Sequence, residues 1–366
     1  MFKNSGNMSY YFFVICVIST AAVLITLSIF FIINETFSSN DPSIFEEAFV
    51  WQEKHKGVVG ITANIANLYK QKMTDRVIEK NSIDIVILGS STLMGIKSDM
   101  FDNYKVFNGA KNGNPLSDSI AKAKYYAKVS DSIKYVIIGF DWTLNLVNRE
   151  YKDISYKPEG VKQERVDFVV KIKDAVSYQR IKIILSVIYD NILNASKVYQ
   201  CPTEDGIGTD QFFKADRPRR CHGFRYDGSS TFENYSSLTI KKWEILLKDS
   251  LSKYREELFS SKGKVESRYL ADLNEIDKAL KRRGGKLVIL VPPLMPGATR
   301  LIYGSSEGVY LTKIIDKLLK YTKRNNIFTF DASRSEEFGC IPEDFLDEHH
   351  SFPSCYEKIV KALSID

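Results

Sequence analysis

Histidine is scarce in this 366-residue chain, with four, and cysteine nearly as scarce, with five. No C-x-x-C spacing occurs, so the commonest zinc-ligand pattern is missing. No block of lysine or arginine and no aromatic-basic repeat stands out. The net charge of +6 is the small difference between 51 basic and 45 acidic residues, which gives nucleic-acid binding no support. Internal repeats are absent. What is present is a folded composition: 44% hydrophobic, 26% charged, 20 Gly and 10 Pro exclude a disordered, collagen-like or low-complexity chain. At about 100–200 residues per domain, the length predicts one large domain or two ordinary ones.

Residues 10–33 contain no Asp, Glu, Lys or Arg. Crossing about 30 Å of hydrocarbon takes about 20 apolar residues in a helix, so this run is long enough to span. A cleaved signal peptide has a shorter apolar core, about 7–15 residues, and ends at small residues. Here the run ends in Phe30-Phe31-Ile32-Ile33-Asn34-Glu35, which predicts an uncleaved anchor. Lys3 and the amino terminus precede it, whereas Glu35, Asp41, Glu46 and Glu47 follow before Lys54. That charge order predicts residues 1–9 in the cytoplasm and everything beyond Asn34 outside. Cys16 lies in the span, leaving Cys201, Cys221, Cys340 and Cys355. An even number in an oxidising compartment predicts two disulfides rather than four buried thiols. Four cysteines allow three pairings; proximity in sequence favours Cys201–Cys221 and Cys340–Cys355.

Five short β-branched runs, residues 84–88, 105–107, 134–139, 286–291 and 327–330, read as strands. They are continuously apolar, as strands covered on both faces are. Helical stretches at 115–129, 266–283 and around Leu311, Ile314, Ile315, Leu318 and Leu319 separate them. This alternation predicts an α/β fold with an open parallel sheet of about five strands and helices on both sides. Residues 34–80 read as a juxtamembrane helical segment, with a helix over 43–73. Residues 81–366 read as the α/β domain, interrupted at 142–265 by a largely helical insertion with helices at 169–193 and 243–259.

The first of these strands runs into Gly89-Ser90-Ser91-Thr92-Leu93-Met94-Gly95. A serine at the carboxyl end of a strand in an open α/β sheet stands where such folds place ligands, near helix N–H groups that favour negative charge. Gly228-Ser229-Ser230 and Gly304-Ser305-Ser306 share the tripeptide without the strand, so position carries the distinction. The segment fits neither nucleotide-binding glycine pattern. A serine needs a base and the base an orienting acid. Asp347-Glu348-His349-His350 follows the last strand and supplies both, with His350 as base and Asp347 as its partner. His349 is the rival base, His55 lies in the juxtamembrane segment, and His222, beside Cys221, is a candidate substrate contact.

These blocks resemble the SGNH/GDSL hydrolase superfamily, in particular its membrane-anchored envelope branch, where Ser replaces Asp in the Gly-Asp-Ser block. The resemblance implies a flavodoxin-like sheet, Ser91 as nucleophile, His350 as base and Asp347 as its partner, with no metal and no cofactor. It further implies an oxyanion N–H from Gly113 (alternatively Gly109) in Asn108-Gly109-Ala110-Lys111-Asn112-Gly113. The third block, Gly139-Phe140-Asp141-Trp142, has Asp141 where the family has a donating Asn; an ionised carboxylate cannot donate. Asn112, Asn145 or Arg225 could substitute. His222-Gly223-Phe224-Arg225-Tyr226-Asp227-Gly228-Ser229 is also similar to a segment of the envelope members, and the basic run 217–220 precedes it.

The expected function is a serine O-acyltransferase anchored in a bacterial cytoplasmic membrane with its C-terminal domain outside. It would pass an acyl group, such as acetyl, from an acyl donor to a polysaccharide or other envelope glycan. The resemblance also implies a multi-span membrane O-acyltransferase as partner. A carbohydrate or lipid esterase with the same triad and a non-catalytic scaffold are the alternatives.

Overall fold

A computed structural model describes residues 5–36, 42–61, 63–141, 156, 196–203, 208–215, 221–231, 265, 267–306 and 308–365. The chain divides into two compact units, Met1–Ser43 with Glu159–Lys197, and Ile44–Pro158 with Val198–Asp366. The first contains α1 (Ser5–Thr36), a helix of 32 residues. Among its exposed side chains are Phe12, Phe13, Ile15 and Ile18. Among the described residues no helix is long and apolar enough to cross a membrane; in α1, side chains are described without a break only over 10–23.

The second unit has strands β1 (Val58–Gly60), β2 (Ile85–Leu88), β3 (Val106–Asn108) and β4 (Tyr135–Gly139). Farther along come β5 (Val198–Pro202), β6 (Thr209–Lys214), β7 (Lys286–Val291) and β8 (Phe328–Asp331). Five of them form one parallel sheet in the order β3-β2-β4-β7-β8. Counted along the chain within that sheet, the order is 2-1-3-4-5, compatible with a flavodoxin-like fold. The middle strands are fully covered, Ile85, Val86, Ile87, Val136 and Ile137 each being 0% exposed. That burial is why their sequences are unbroken apolar runs rather than alternating ones.

The covering helices are α2 (Pro42–His55), α3 (Ala63–Glu79), α4 (Leu116–Val129) and α5 (Ser267–Lys281), followed by α6 (Ala298–Tyr303), α7 (Gly308–Arg324) and α8 (Pro353–Leu363). Each of the long ones turns one stripe inward: Leu116, Ile120, Ala123 and Ala127 on α4, and Leu311, Ile314, Ile315 and Leu318 on α7. The turn after α5 passes through Gly284 at φ +75°, where a Cβ would be strained.

Two expectations are corrected. The single helix expected over 43–73 is two helices with β1 between them. Lys56 takes φ +56° and ends α2, and the β-branched Val58-Val59 then pairs in parallel with β6. Residues 44–80 fall in the same compact unit as the sheet. The stretch 142–265 contains strands: β5 and β6 pair antiparallel and, with β1, make a three-stranded sheet. Half-exposed, they lack the apolar run by which the central strands are recognised. The helices expected at 169–193 and 243–259 lie outside the described residues, as do Asn145 and the basic run 217–220. The two disulfides pair Cys201 with Cys221 and Cys340 with Cys355, and Cys16 is free.

Candidate active site

Ser91 opens a short 3₁₀ helix, Ser91–Leu93, immediately beyond the carboxyl end of β2. The turn is tight because Gly89 precedes it: a Cβ there would come within 2.8 Å of the Leu93 side chain. Ser90 caps the helix, its Oγ accepting from Thr92 N–H at 3.3 Å and donating to Asp141 Oδ2 at 2.8 Å. Asp141 follows β4, the neighbour of β2, so this bond bridges the switch point at which the strand order reverses. From the other side, the buried Tyr356 of α8 donates its hydroxyl to Thr92 O. The serine thus sits on a turn tied to two other elements.

The facing residues come from the loop between β8 and α8. Asp347 Oδ1 accepts from the backbone N–H of His349 at 3.0 Å and of His350 at 2.8 Å, folding residues 347–350 into a tight turn. Leu346 N–H then donates to His350 O at 2.8 Å. The disulfide Cys340–Cys355 closes this loop at its base. The outcome is a relay. His350 Nδ1 lies 2.7 Å from Asp347 Oδ2, and since a carboxylate only accepts, Nδ1 carries the proton. Nε2 is left as the acceptor for the Ser91 hydroxyl at 2.8 Å. Burial works to raise the Asp347 carboxyl, but the His350 hydrogen bond and the His350 and His349 charges outweigh it and hold it well below the usual carboxylate range.

His349 has its own carboxylate, with Nδ1 donating to Glu348 Oε1 at 2.8 Å. Burial opposes its charge, yet the Glu348 bond and the charges of Asp347, Glu348 and Asp141 raise it to about 9. Asp347, His349 and His350 offer ligand atoms within 4.8 Å of one another. An ion there would have to break existing bonds, because both ring nitrogens of His350 are already engaged with Ser91 and Asp347.

Ser91, Asp347 and His350 line a cavity of about 250 Å³ together with Asn112, Asn67, His222, Phe224 and Met94. Asn112 is held by Asn67 of α3, whose amide accepts from Asn112 N–H at 3.0 Å and donates to Asn112 O at 2.8 Å. Three expected site residues are not among those that line this cavity. Asp141 accepts from the Ser90 hydroxyl and so ties the turn that carries Ser91 to the end of β4. Arg225 turns back into its own loop and donates to Ser230 O at 2.7 Å. Gly113, at φ +60°, lies next to Asn112 but off the lining.

Asn67, Met94 and Phe224 were not legible as site residues. Asn67 sits in an ordinary amphipathic helix, and nothing in its local pattern announces which loop it meets. A larger cavity of about 500 Å³ lies among α2, α3 and β3, lined by Phe49, Met73, Tyr104 and the ion-paired Arg76, Glu53 and Lys80; no triad residue reaches it. Compared with known proteins, the chain matches no family model and no curated sequence.

Proposed function

We propose that this chain is a serine acyl-transfer enzyme of the SGNH/GDSL kind, anchored in a bacterial cytoplasmic membrane with its α/β unit outside. In this role it acylates an envelope or secreted polysaccharide through an ester on Ser91. The observation that carries it is the relay: Ser91 Oγ 2.8 Å from His350 Nε2, and His350 Nδ1 2.7 Å from Asp347 Oδ2. Hydrogen-bond distances of this kind between nucleophile, base and orienting acid are what general-base activation of a hydroxyl needs.

His350 takes the Ser91 proton as Oγ bonds the acyl carbon, then returns it to the leaving group. The Ser91 N–H, first in its 3₁₀ helix and so without an acceptor in it, and the Asn112 side-chain amide are the donors for the oxyanion. An acceptor hydroxyl then attacks the acyl-enzyme by the same steps in reverse. Two disulfides suit an oxidising compartment, and the uncharged run 10–33, continuous within α1, suits an anchor. A multi-span membrane acyltransferase remains the partner class for delivering the acyl group outward.

Intact-mass analysis after treatment with a serine-directed phosphonate tests the assignment. One adduct is expected, lost in Ser91→Ala. No adduct, or full envelope modification in cells carrying Ser91→Ala, turns the protein into a scaffold. Fast ester hydrolysis with no acceptor product makes it an esterase.

A further inference from the structure

We propose that His222 is an acceptor-binding residue, its Nε2 receiving a hydrogen bond from the hydroxyl adjacent to the one that attacks the acyl group on Ser91. The proposal rests on the acyl-enzyme function above and adds a substrate class to it: acceptors carrying a vicinal diol, as sugars do.

His222 lines the same cavity as Ser91, Asn112 and His350, yet nothing in the relay uses it. Its Nδ1 lies 2.8 Å from the backbone oxygen of Thr231. A carbonyl oxygen only accepts, so Nδ1 carries the proton and Nε2 of the neutral ring is a bare acceptor. Among the described residues, Nε2 has no protein partner.

The backbone around the ring is pinned. Cys221, one residue before, is tied to Cys201. Gly223 N–H donates to Thr231 Oγ1 at 2.8 Å, and that hydroxyl donates to Cys221 O at 2.9 Å. Phe224 and Val59 exchange backbone bonds at 2.9 Å in both directions. From α2, Gln52 Nε2 donates to Phe224 O at 2.8 Å. An imidazole held this firmly, in a fixed tautomer with its open nitrogen unclaimed by protein, is organised for a donor that arrives from outside.

The proton balance defines that donor. In transfer, the attacking hydroxyl gives its proton to His350 Nε2 as its oxygen bonds the acyl carbon. The bond from that carbon to Ser91 Oγ then breaks, and Oγ recovers the proton from His350. An alcohol's attacking hydroxyl has no second proton for His222. An acceptor that satisfies both rings therefore brings a second hydroxyl, which the proposal sets on the neighbouring carbon.

The test uses the full chain in detergent, p-nitrophenyl acetate as donor, and trans-cyclohexane-1,2-diol or cyclohexanol as acceptor. The readout is the ratio, counted per hydroxyl, of acetylated diol to acetylated cyclohexanol, so a general loss of activity in a variant cancels. The parent enzyme is expected to favour the diol about tenfold. His222→Ala brings the ratio near one, and His222→Gln, which places an amide oxygen near the Nε2 position, restores most of it. Equal capture by the parent, or a diol preference that survives in His222→Ala, overturns the assignment of His222 while leaving the acyl-enzyme standing. Failure to find acetyl-Ser91 in the parent by intact mass overturns the acyl-enzyme itself, and His222's role with it.

Discussion

Ser91 is separated from Asp347 and His350 by most of the chain, and their geometry depends on which oxygen or nitrogen each offers. Asp347 is the clearest case: its Oδ1 holds the turn through two backbone N–H groups while its Oδ2 takes the His350 ring proton. Asp347→Asn keeps the size but offers an N–H where the ring needs an acceptor, favouring the wrong tautomer. Turnover is expected to fall by about 10³–10⁴ in a steady-state ester assay, with an unchanged near-ultraviolet circular dichroism spectrum. Asp141 makes the contrasting prediction. Its carboxylate accepts from Ser90, and an Asn oxygen can do the same. Asp141→Asn should therefore stay within about tenfold of the parent in the same assay. A gain or loss of about 10²–10³ would place position 141 at the oxyanion after all.

At the scale of elements, the site is held by α3, by the 221–231 loop and by the loop before α8. In α3, Lys70 is 0% exposed, and among the described residues its ammonium has no hydrogen-bond partner; it lies 4.5 Å from the Phe224 ring centre and feels the charge of Asp227. Burial, partly offset by Asp227, lowers it to about 7. The unfolded chain thus holds this proton more tightly, and below about pH 7 the native state bears the full cost of a buried charge. Lys70→Met is expected to stabilise the protein by about 1–3 kcal/mol at pH 7 in urea titrations, with the gain shrinking toward pH 10. The second element is the disulfide that brackets Asp347 and His350. The Cys340–Cys355 link closes a separation of 15 residues, so replacing both cysteines by Ser should cost about 3 kcal/mol. Phosphonate labelling of Ser91 should slow as well, since the relay loop loses its closure.

Over the whole α/β unit, residues 347–350 should contribute to stability a term that is lost at alkaline pH as well as one that is lost at acid pH. Asp347 is depressed, so its contribution is present above the unfolded carboxyl value, near 3.9, and is lost as the pH falls toward its folded value. His349 is raised to about 9, so its contribution is complete below the unfolded value near 6.5 and is lost as the pH rises through 9. The buried Lys70 has the opposite slope over this range, so the His349 contribution shows in Lys70→Met, whose melting temperature should decline between pH 7 and 9. His349→Gln should flatten that decline; an unchanged slope would mean that the Glu348–His349 pair contributes nothing.

Four of the five parallel strands were legible to within a residue or two because a strand buried on both faces must be apolar throughout, whatever surrounds it; β8, at the edge and partly exposed, lies one residue later than its short apolar run. Helix stripes were legible for a related reason: their signals are local and periodic. The relay was legible too, since a serine after one strand and Asp-x-x-His after the last reach the same edge of any parallel sheet. Local pattern carries no information about partners distant in sequence. It could not tell that Lys56 would end α2, that Val58-Val59 would pair with a strand 150 residues on, or that Asn67 would clasp Asn112. Nor could it tell that Asp141 would bind the Ser90 hydroxyl. Composition and periodicity determined the layers and the edge to which Ser91 and His350 are brought; which side chains face each other across that edge was decided only by tertiary packing, because hydrogen-bond partners are chosen by position in space.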